Sequence, residues 1–237
     1  MVAMPYEMEF PSAEALAKFI DHTVLAPDHT VEDVERACDE AVGYGFAAVS
    51  VAPYDIARVA RLLKGSDVAA GGAIGIPLGS GGLKGKQAEA RTCVDAGANE
   101  IDMVLNLVAL KSGVWSDVRS EIAAVRKIAE GKVLKVILEC CYLTDEEKIR
   151  ACETCLDAGA DFVKTSTGFG TGGATVEDVA LMKKTVGDRA QVKAAGGIRT
   201  FQQVRAMRDA GAVRIGTSTG VQIIRQYQDS RSILHHD

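Results

Sequence analysis

The stretches VDAGANEIDMV at 94–104, LDAGADFVKTS at 156–166 and RDAGAVRIGTS at 208–218 share one pattern. In each, a helix-like run ends on a glycine and passes at once into residues that favour extended chain. A glycine just past a helix takes the left-handed conformation that closes the last turn, and the β-branched residues behind it favour a strand. EAVGYGFAAVS at 40–50 is a weaker version of the same text. The repeated unit is helix followed by strand.

Working outward from these units, strands are predicted at 19–22, 46–51, 69–74, 100–104, 134–139, 161–165, 191–194 and 213–216. Amphipathic runs of helical length lie at 30–42, 54–63, 86–96, 114–129, 144–157, 176–186, 201–209 and 218–228. SAEAL near Ser12, TDEEK at Thr144 and TVED at Thr175 read as helix starts, each with a hydroxyl ahead of an acid. Eight strands and eight helices predict a closed (β/α)8 TIM barrel spanning 1–237 as a single domain, with a short flexible C-terminal tail. An open doubly wound sheet is the rival. It loses because no early strand runs into a GxGxxG turn and the units continue to the end of the chain. The glycine-rich stretch at 71–85 is read as a strand followed by a loop above the barrel.

Composition removes several classes of function. The 237 residues carry a formal net charge of -5, which offers no general attraction to nucleic acid or anionic membrane. No apolar run approaches the roughly 20 residues of a membrane span, and the first residues lack the basic-then-apolar order of a secretory leader. A cytoplasmic protein is expected. The six cysteines include Cys152 and Cys155 at CxxC spacing, but without a second pair they read as buried thiols in a reducing compartment.

In a TIM barrel the active site lies over the C-terminal ends of the strands, and alternation decides which side chains face the axis. Ile101 and Met103 suit the helix layer, which leaves Asp102 inside. Val136 and Leu138 likewise leave Glu139 at the inner rim. The same period places Lys164 and Lys193 inside, with Val163 and Val192 outside. Two lysines on neighbouring strands disfavour double protonation, and partial desolvation adds to that effect. A neutral amine can attack a carbonyl. Lys164 then forms a Schiff base with an aldehyde or ketone while Asp102 shuttles protons. A packed ion pair with Asp102 or Glu139, or a lysine that reaches solvent, are the two alternatives for the same residue.

Glycine-bearing loops follow the last three strands, STGFGTGG, AAGGIRT and GTSTG. Exposed amides there, and the helix start behind the last, favour an anion such as phosphate. Gly196, Gly197 and Gly216 can instead simply permit turns, and Arg199 either supplements the anion site or is surface charge. His235 and His236 belong to the tail, and Trp115 reads as core.

These motifs carry a resemblance. IDHTVL at 20–25, EIDMVLN at 100–106, KVILE with LTDEEK across 135–148, DFVKTSTGF at 161–169, VKAAGGIR at 192–199 and RIGTSTG at 214–220 resemble the class I deoxyribose-phosphate aldolase family, in order and over most of the chain. The resemblance implies reversible cleavage of 2-deoxy-D-ribose 5-phosphate to acetaldehyde and D-glyceraldehyde 3-phosphate on a (β/α)8 barrel that needs no metal or organic cofactor. It implies Lys164 as the Schiff-base lysine, Lys193 as the group that tunes it and Asp102 in the proton relay. Asp21 and Thr23 are implied near the substrate, and Gly168, Gly196, Gly197, Gly216, Ser218 and Thr219 on the phosphate-side loops. The implied partner is a small phosphorylated sugar or aldehyde, with a homodimer left open. SVAP at 50–53 stands where the family commonly has CVNP, and KAAGG and GTSTG replace KASGG and GTSSG. Some relatives use a C-terminal tyrosine in proton transfer, a task that Tyr227 in the last helix cannot take over. A phosphate-barrel isomerase, decarboxylase or ketose aldolase, and a non-catalytic sugar-phosphate binder, are the competing accounts.

Overall fold

The computed structural model describes residues 10–234. His235 and His236 of the expected tail lie outside them. Eight strands alternate with helices along the chain: β1 (Ile20–Val24), β2 (Ala48–Val51), β3 (Ala69–Ile74), β4 (Glu100–Val104), β5 (Val133–Ile137), β6 (Phe162–Lys164), β7 (Gln191–Ala195) and β8 (Arg214–Thr217). They pair in parallel, each with the next, and β8 closes on β1. The expected (β/α)8 barrel is the fold.

The repeated glycines do what the pattern requires. Gly97, Gly159 and Gly211 have φ of 101°, 83° and 112°. The residue after each returns its amide to a carbonyl five positions back: Ala98 to Cys93, Ala160 to Cys155 and Ala212 to Met207, at 2.9–3.0 Å. This satisfies carbonyls that the end of a helix leaves free and aims the chain straight into β4, β6 and β8. Gly45 and Phe46 repeat the device ahead of β2, which confirms the weaker copy at 40–50.

The helices around the barrel are α2 (Val31–Tyr44), α3 (Ile56–Leu62), α4 (Gly82–Asp95), α6 (Trp115–Ile128), α7 (Asp145–Asp157), α8 (Val176–Val186), α9 (Phe201–Asp209) and α10 (Gly220–Leu234). Among the described residues two short α-helices add to the eight expected. The first, α1 (Ala13–Ala17), precedes β1 and is capped by Ser12, so SAEAL is a helix start in its own right. The second, α5 (Leu107–Lys111), is one turn after β4, capped by Asn106. Thr144 and Glu147 form a reciprocal cap at α7, whereas at α8 Thr175 accepts the Asp178 amide. No described helix is long and apolar enough to cross a membrane.

Alternation sorts the strand side chains into two environments. Val49, Val51, Ile101, Met103, Val136, Leu138, Val163 and Val192 face the helices and are fully buried. Each contributes about 1.5–3 kcal/mol of burial, so the layer between sheet and helices holds the barrel closed. Trp115 packs partly buried against this layer, with the Arg150 guanidinium 4.5 Å from its ring centre. The barrel interior is instead polar, and that asymmetry creates the site.

Candidate active site

Lys164 ends β6 and is paired in register with Lys193 on β7 and with Ile137 on β5. Asp102 on β4 is paired with Lys135 on β5. Because paired residues of parallel strands point to the same face, Lys164, Lys193, Asp102 and Lys135 converge inside the barrel, with Ile137 beside them. Lys164 Nζ donates to Asp102 Oδ2 at 2.8 Å, and Lys193 Nζ donates to the same oxygen at 2.7 Å. Lys135 Nζ lies 3.0 Å from the other oxygen of Asp102.

A further layer lies next to these residues. Asp21 on β1 is bonded to Lys193, Lys135 and Arg214. Glu100 on β4 is bonded to Lys135 and, at 2.9 Å, to Arg214. The interior thus gathers three carboxylates, Asp21, Glu100 and Asp102, against four basic side chains, Lys135, Lys164, Lys193 and Arg214. With ordinary formal charges it balances only when one base is neutral.

The electrostatics choose that base. Burial pushes Lys164 down, Asp102 opposes it, and the neighbouring Lys193 and Lys135 push it down again, to about 8. Burial also works against charge on Lys135, yet Asp102, Asp21 and Glu100 override it and hold Lys135 above its usual range. For Asp102, burial favours the neutral acid, but Lys135, Lys164 and Lys193 outweigh it and hold the carboxyl well below the usual range. Lys164 is therefore obtained as a free amine closer to neutral pH than an ordinary lysine, and more readily than Lys135.

A cavity of about 700 Å³ opens above it, with Lys164 among its lining residues. Gly168, Gly196, Gly197, Gly216 and Ser218, from the loops and strand ends of β6 to β8, contribute to the lining, as does Thr23 of β1. Gly168, Gly196 and Gly197 have positive φ, which turns backbone amides through conformations closed to most residues. Gly216 lies within β8, not in a turn. Arg199 is exposed at the edge of the cavity. Asp21, Asp102 and Lys193 are buried and do not line the cavity, and Thr219 is half-buried, its amide bonded to Thr217 Oγ1 at 3.1 Å. Asp21 thus meets lysines and arginine where the resemblance implied a place near the substrate.

Several polar groups escaped the sequence reading. Lys135, Glu100 and Arg214 stand two residues from Ile137, Asp102 and Gly216 along their strands, so the alternation that selected Asp102 selects them too. Glu139 departs from its expectation in the other direction. It lies beyond β5 with φ 55° and ψ 62°, so strand alternation no longer governs it, and its carboxylate turns to Thr167 instead of the ion cluster. Ser50 is buried on β2, and its hydroxyl has no hydrogen-bond partner among the described residues. Tyr227 is also buried, its hydroxyl donating to the Phe10 carbonyl at 2.8 Å. All six cysteines are free thiols, and no group of three His, Cys, Asp or Glu side chains among the described residues is placed to hold a metal ion.

A TIM barrel whose interior presents a desolvated amine to an open cavity, with a carboxylate bonded to that amine from behind, defines a class of protein, the lysine-dependent aldolase. Comparison with known proteins narrows it. The family model described as DeoC/LacD family aldolase matches residues 15–226. A deoxyribose-phosphate aldolase of Thermococcus gammatolerans is 55% identical over 213 residues, covering 88% of this chain and 95% of that protein. One from Brevibacillus brevis is 55% identical over 207 residues, covering 87% and 94%. The tetrameric deoxyribose phosphate aldolase structure from Aeropyrum pernix superposes with a TM-score of 0.85 at 36% identity, covering 92% of each chain. The chain belongs to the DeoC/LacD aldolase family.

Proposed function

We propose that the chain reversibly cleaves 2-deoxy-D-ribose 5-phosphate into acetaldehyde and D-glyceraldehyde 3-phosphate, with Lys164 as the amine that bonds to substrate. The observation that carries this assignment is the buried Lys164, brought down to about 8, which lines the cavity and is bonded to Asp102 behind it. A neutral Lys164 amine adds to the C1 aldehyde, and loss of water gives an iminium. The C3 hydroxyl gives up its proton and the C2–C3 bond breaks. Its electrons flow into the iminium, which leaves glyceraldehyde 3-phosphate and an enamine. Protonation of the enamine at C2 and addition of water to the iminium carbon release acetaldehyde and restore the amine.

Asp102 is the proton carrier in this assignment, because its oxygen lies 2.8 Å from Lys164 Nζ and is shared with Lys193. Lys193 tunes the amine by placing a second ammonium beside it. The phosphate end is assigned to the glycine-bearing loops after β6, β7 and β8, with Ser218 and Arg199 at the rim. Thr23 approaches the substrate from β1, whereas Asp21 serves by holding Lys193. The setting is cytoplasmic, where free thiols persist. Light scattering decides between a monomer, the homodimer left open by the sequence and a tetramer like that of the Aeropyrum pernix relative.

Acetaldehyde and borohydride, followed by peptide mapping, test the chemistry. A reduced adduct on Lys164, together with acetaldehyde release from 2-deoxyribose 5-phosphate, is expected. Binding of the sugar phosphate without adduct or cleavage would make the chain a binder, not an aldolase.

A further inference from the structure

Glu139 is the only residue other than glycine with positive φ among the described residues. Its position in the ladder explains the conformation. Leu138 donates to the Lys164 carbonyl and Cys140 to the Thr165 carbonyl, each at 2.9 Å. Two residues of advance on the β5 side are thus matched by one on the β6 side, which leaves Glu139 looped out as in a β-bulge. A side chain is held in the left-handed region only where its surroundings fix it.

What fixes Glu139 is Thr167. The Thr167 amide lies 3.2 and 3.3 Å from the two carboxylate oxygens, and the Thr167 hydroxyl donates to one of them. The Phe169 amide in turn donates to Thr167 Oγ1 at 3.0 Å. Gly170 accommodates the arrangement, since a Cβ there would stand 3.1 Å from Glu139 Oε1 and 2.9 Å from Cys141 Sγ. Glu139 is 1% exposed and does not line the cavity, whereas Thr167, Gly168 and Phe169 do. The carboxylate therefore makes its hydrogen bonds to the turn that it holds, while the Lys164 charge acts on it across the site as the smallest of the influences on its titration, behind burial and the two Thr167 bonds.

We propose that Glu139 is a positioning residue. Its carboxylate fixes Thr167, and through it the Gly168–Phe169 turn, so that the anion-receiving side of the cavity stands at a set distance from the Lys164 amine. The proposal rests on the sugar-phosphate assignment above. It assigns Glu139 to one end of the substrate, the phosphate, and not to the carbonyl chemistry at the other.

The test compares the wild type with Glu139→Gly, which keeps the backbone conformation without the carboxylate, and with Glu139→Gln, which keeps an acceptor for Thr167. Three quantities are read: KM and kcat for 2-deoxyribose 5-phosphate, inhibition by inorganic phosphate, and borohydride trapping of acetaldehyde on Lys164. Glu139→Gly should raise KM and weaken phosphate inhibition in parallel, each about tenfold, the scale on which misplaced binding groups act. Trapping should stay within about twofold of wild type, and Glu139→Gln should recover most of the loss. Unchanged KM and phosphate inhibition in Glu139→Gly would overturn the proposal, and so would an equal loss of trapping. Should Glu139→Gly fail to fold, Glu139→Gln decides by the same split, with a smaller rise in KM at unchanged trapping expected. A wild type that does not trap acetaldehyde at all would instead remove the aldolase assignment itself.

Discussion

The space left by the missing side chain of Gly216 is the space beside the stem of Lys193: a Cβ on Gly216 would stand 3.2 Å from Lys193 Cε. It would also stand 2.9 Å from the Ala195 Cβ. Gly216 is therefore required within a strand for packing, and its partners are the lysine that shares Asp102 with Lys164 and a residue of the same strand.

Gly216→Ala follows directly. Neither neighbour can retreat easily, since Lys193 is fully buried and Ala195 belongs to β7. Overpacking of this kind costs about 1–3 kcal/mol. The Lys193 amine moves with its stem, and an error of about 1 Å near reacting groups can cost a hundredfold in rate. Turnover should fall by at least tenfold on this scale while the variant stays folded by circular dichroism. Wild-type turnover would show that the lysine tolerates displacement.

Lys193 helps to set the pH at which the Lys164 amine becomes free. With Lys164 brought to about 8, trapping of acetaldehyde should rise with pH through that value as the amine loses its proton. Lys193→Met removes a cation that helps to lower Lys164, and it leaves Asp102 with one fewer partner. Both changes favour the protonated amine, so the midpoint should move upward. A midpoint that stays put or falls would separate Lys193 from the tuning role.

Asp102→Asn should separate imine formation from turnover. The carboxylate raises Lys164, so its removal leaves burial and the two neighbouring cations to push the amine lower still. Trapping should then reach its midpoint below about 8, while steady-state cleavage loses the group placed to carry protons, typically about 10²–10⁴-fold. Cleavage at the wild-type rate would assign the relay elsewhere.

The barrel was legible because its repeat is written in local chemistry. Gly97, Gly159 and Gly211 end helices by the same carbonyl-satisfying turn, and that turn depends on one residue type at one place. Lys164, Lys193 and Asp102 could be placed inside because Val163, Val192, Ile101 and Met103 next to them along the strands belong to the helix layer. Lys135, Glu100 and Arg214 obey the same alternation but stand two residues before Ile137, Asp102 and Gly216, away from the rim where activity was sought. Glu139 was misplaced for a different reason: its direction follows from one left-handed backbone and a bond to Thr167, and neither has a counterpart in strand period. Mutual partners such as Arg214 with Asp21 join strands 193 residues apart in sequence, a relation that only closure of the barrel creates.

Stability should carry the signature of the lowered lysine. Lys164 titrates near 8 in the folded protein, against an ordinary value of 10.5 in the unfolded chain. Between those values the unfolded state holds a proton that the folded state has lost, so stability from this group rises with pH across the window. Below about 8 both states are protonated, and the cost of burying the extra charge is present in full. Lys164→Met deletes the titration and keeps an unbranched side chain of similar length in the same space. Urea midpoints for the two proteins, measured from pH 7 to pH 10.5, should therefore converge as pH rises, with the wild type gaining on the variant and groups common to both cancelling. Parallel curves would mean that Lys164 keeps its proton in the folded protein as readily as in the unfolded chain. The amine would then not be available to a carbonyl at neutral pH.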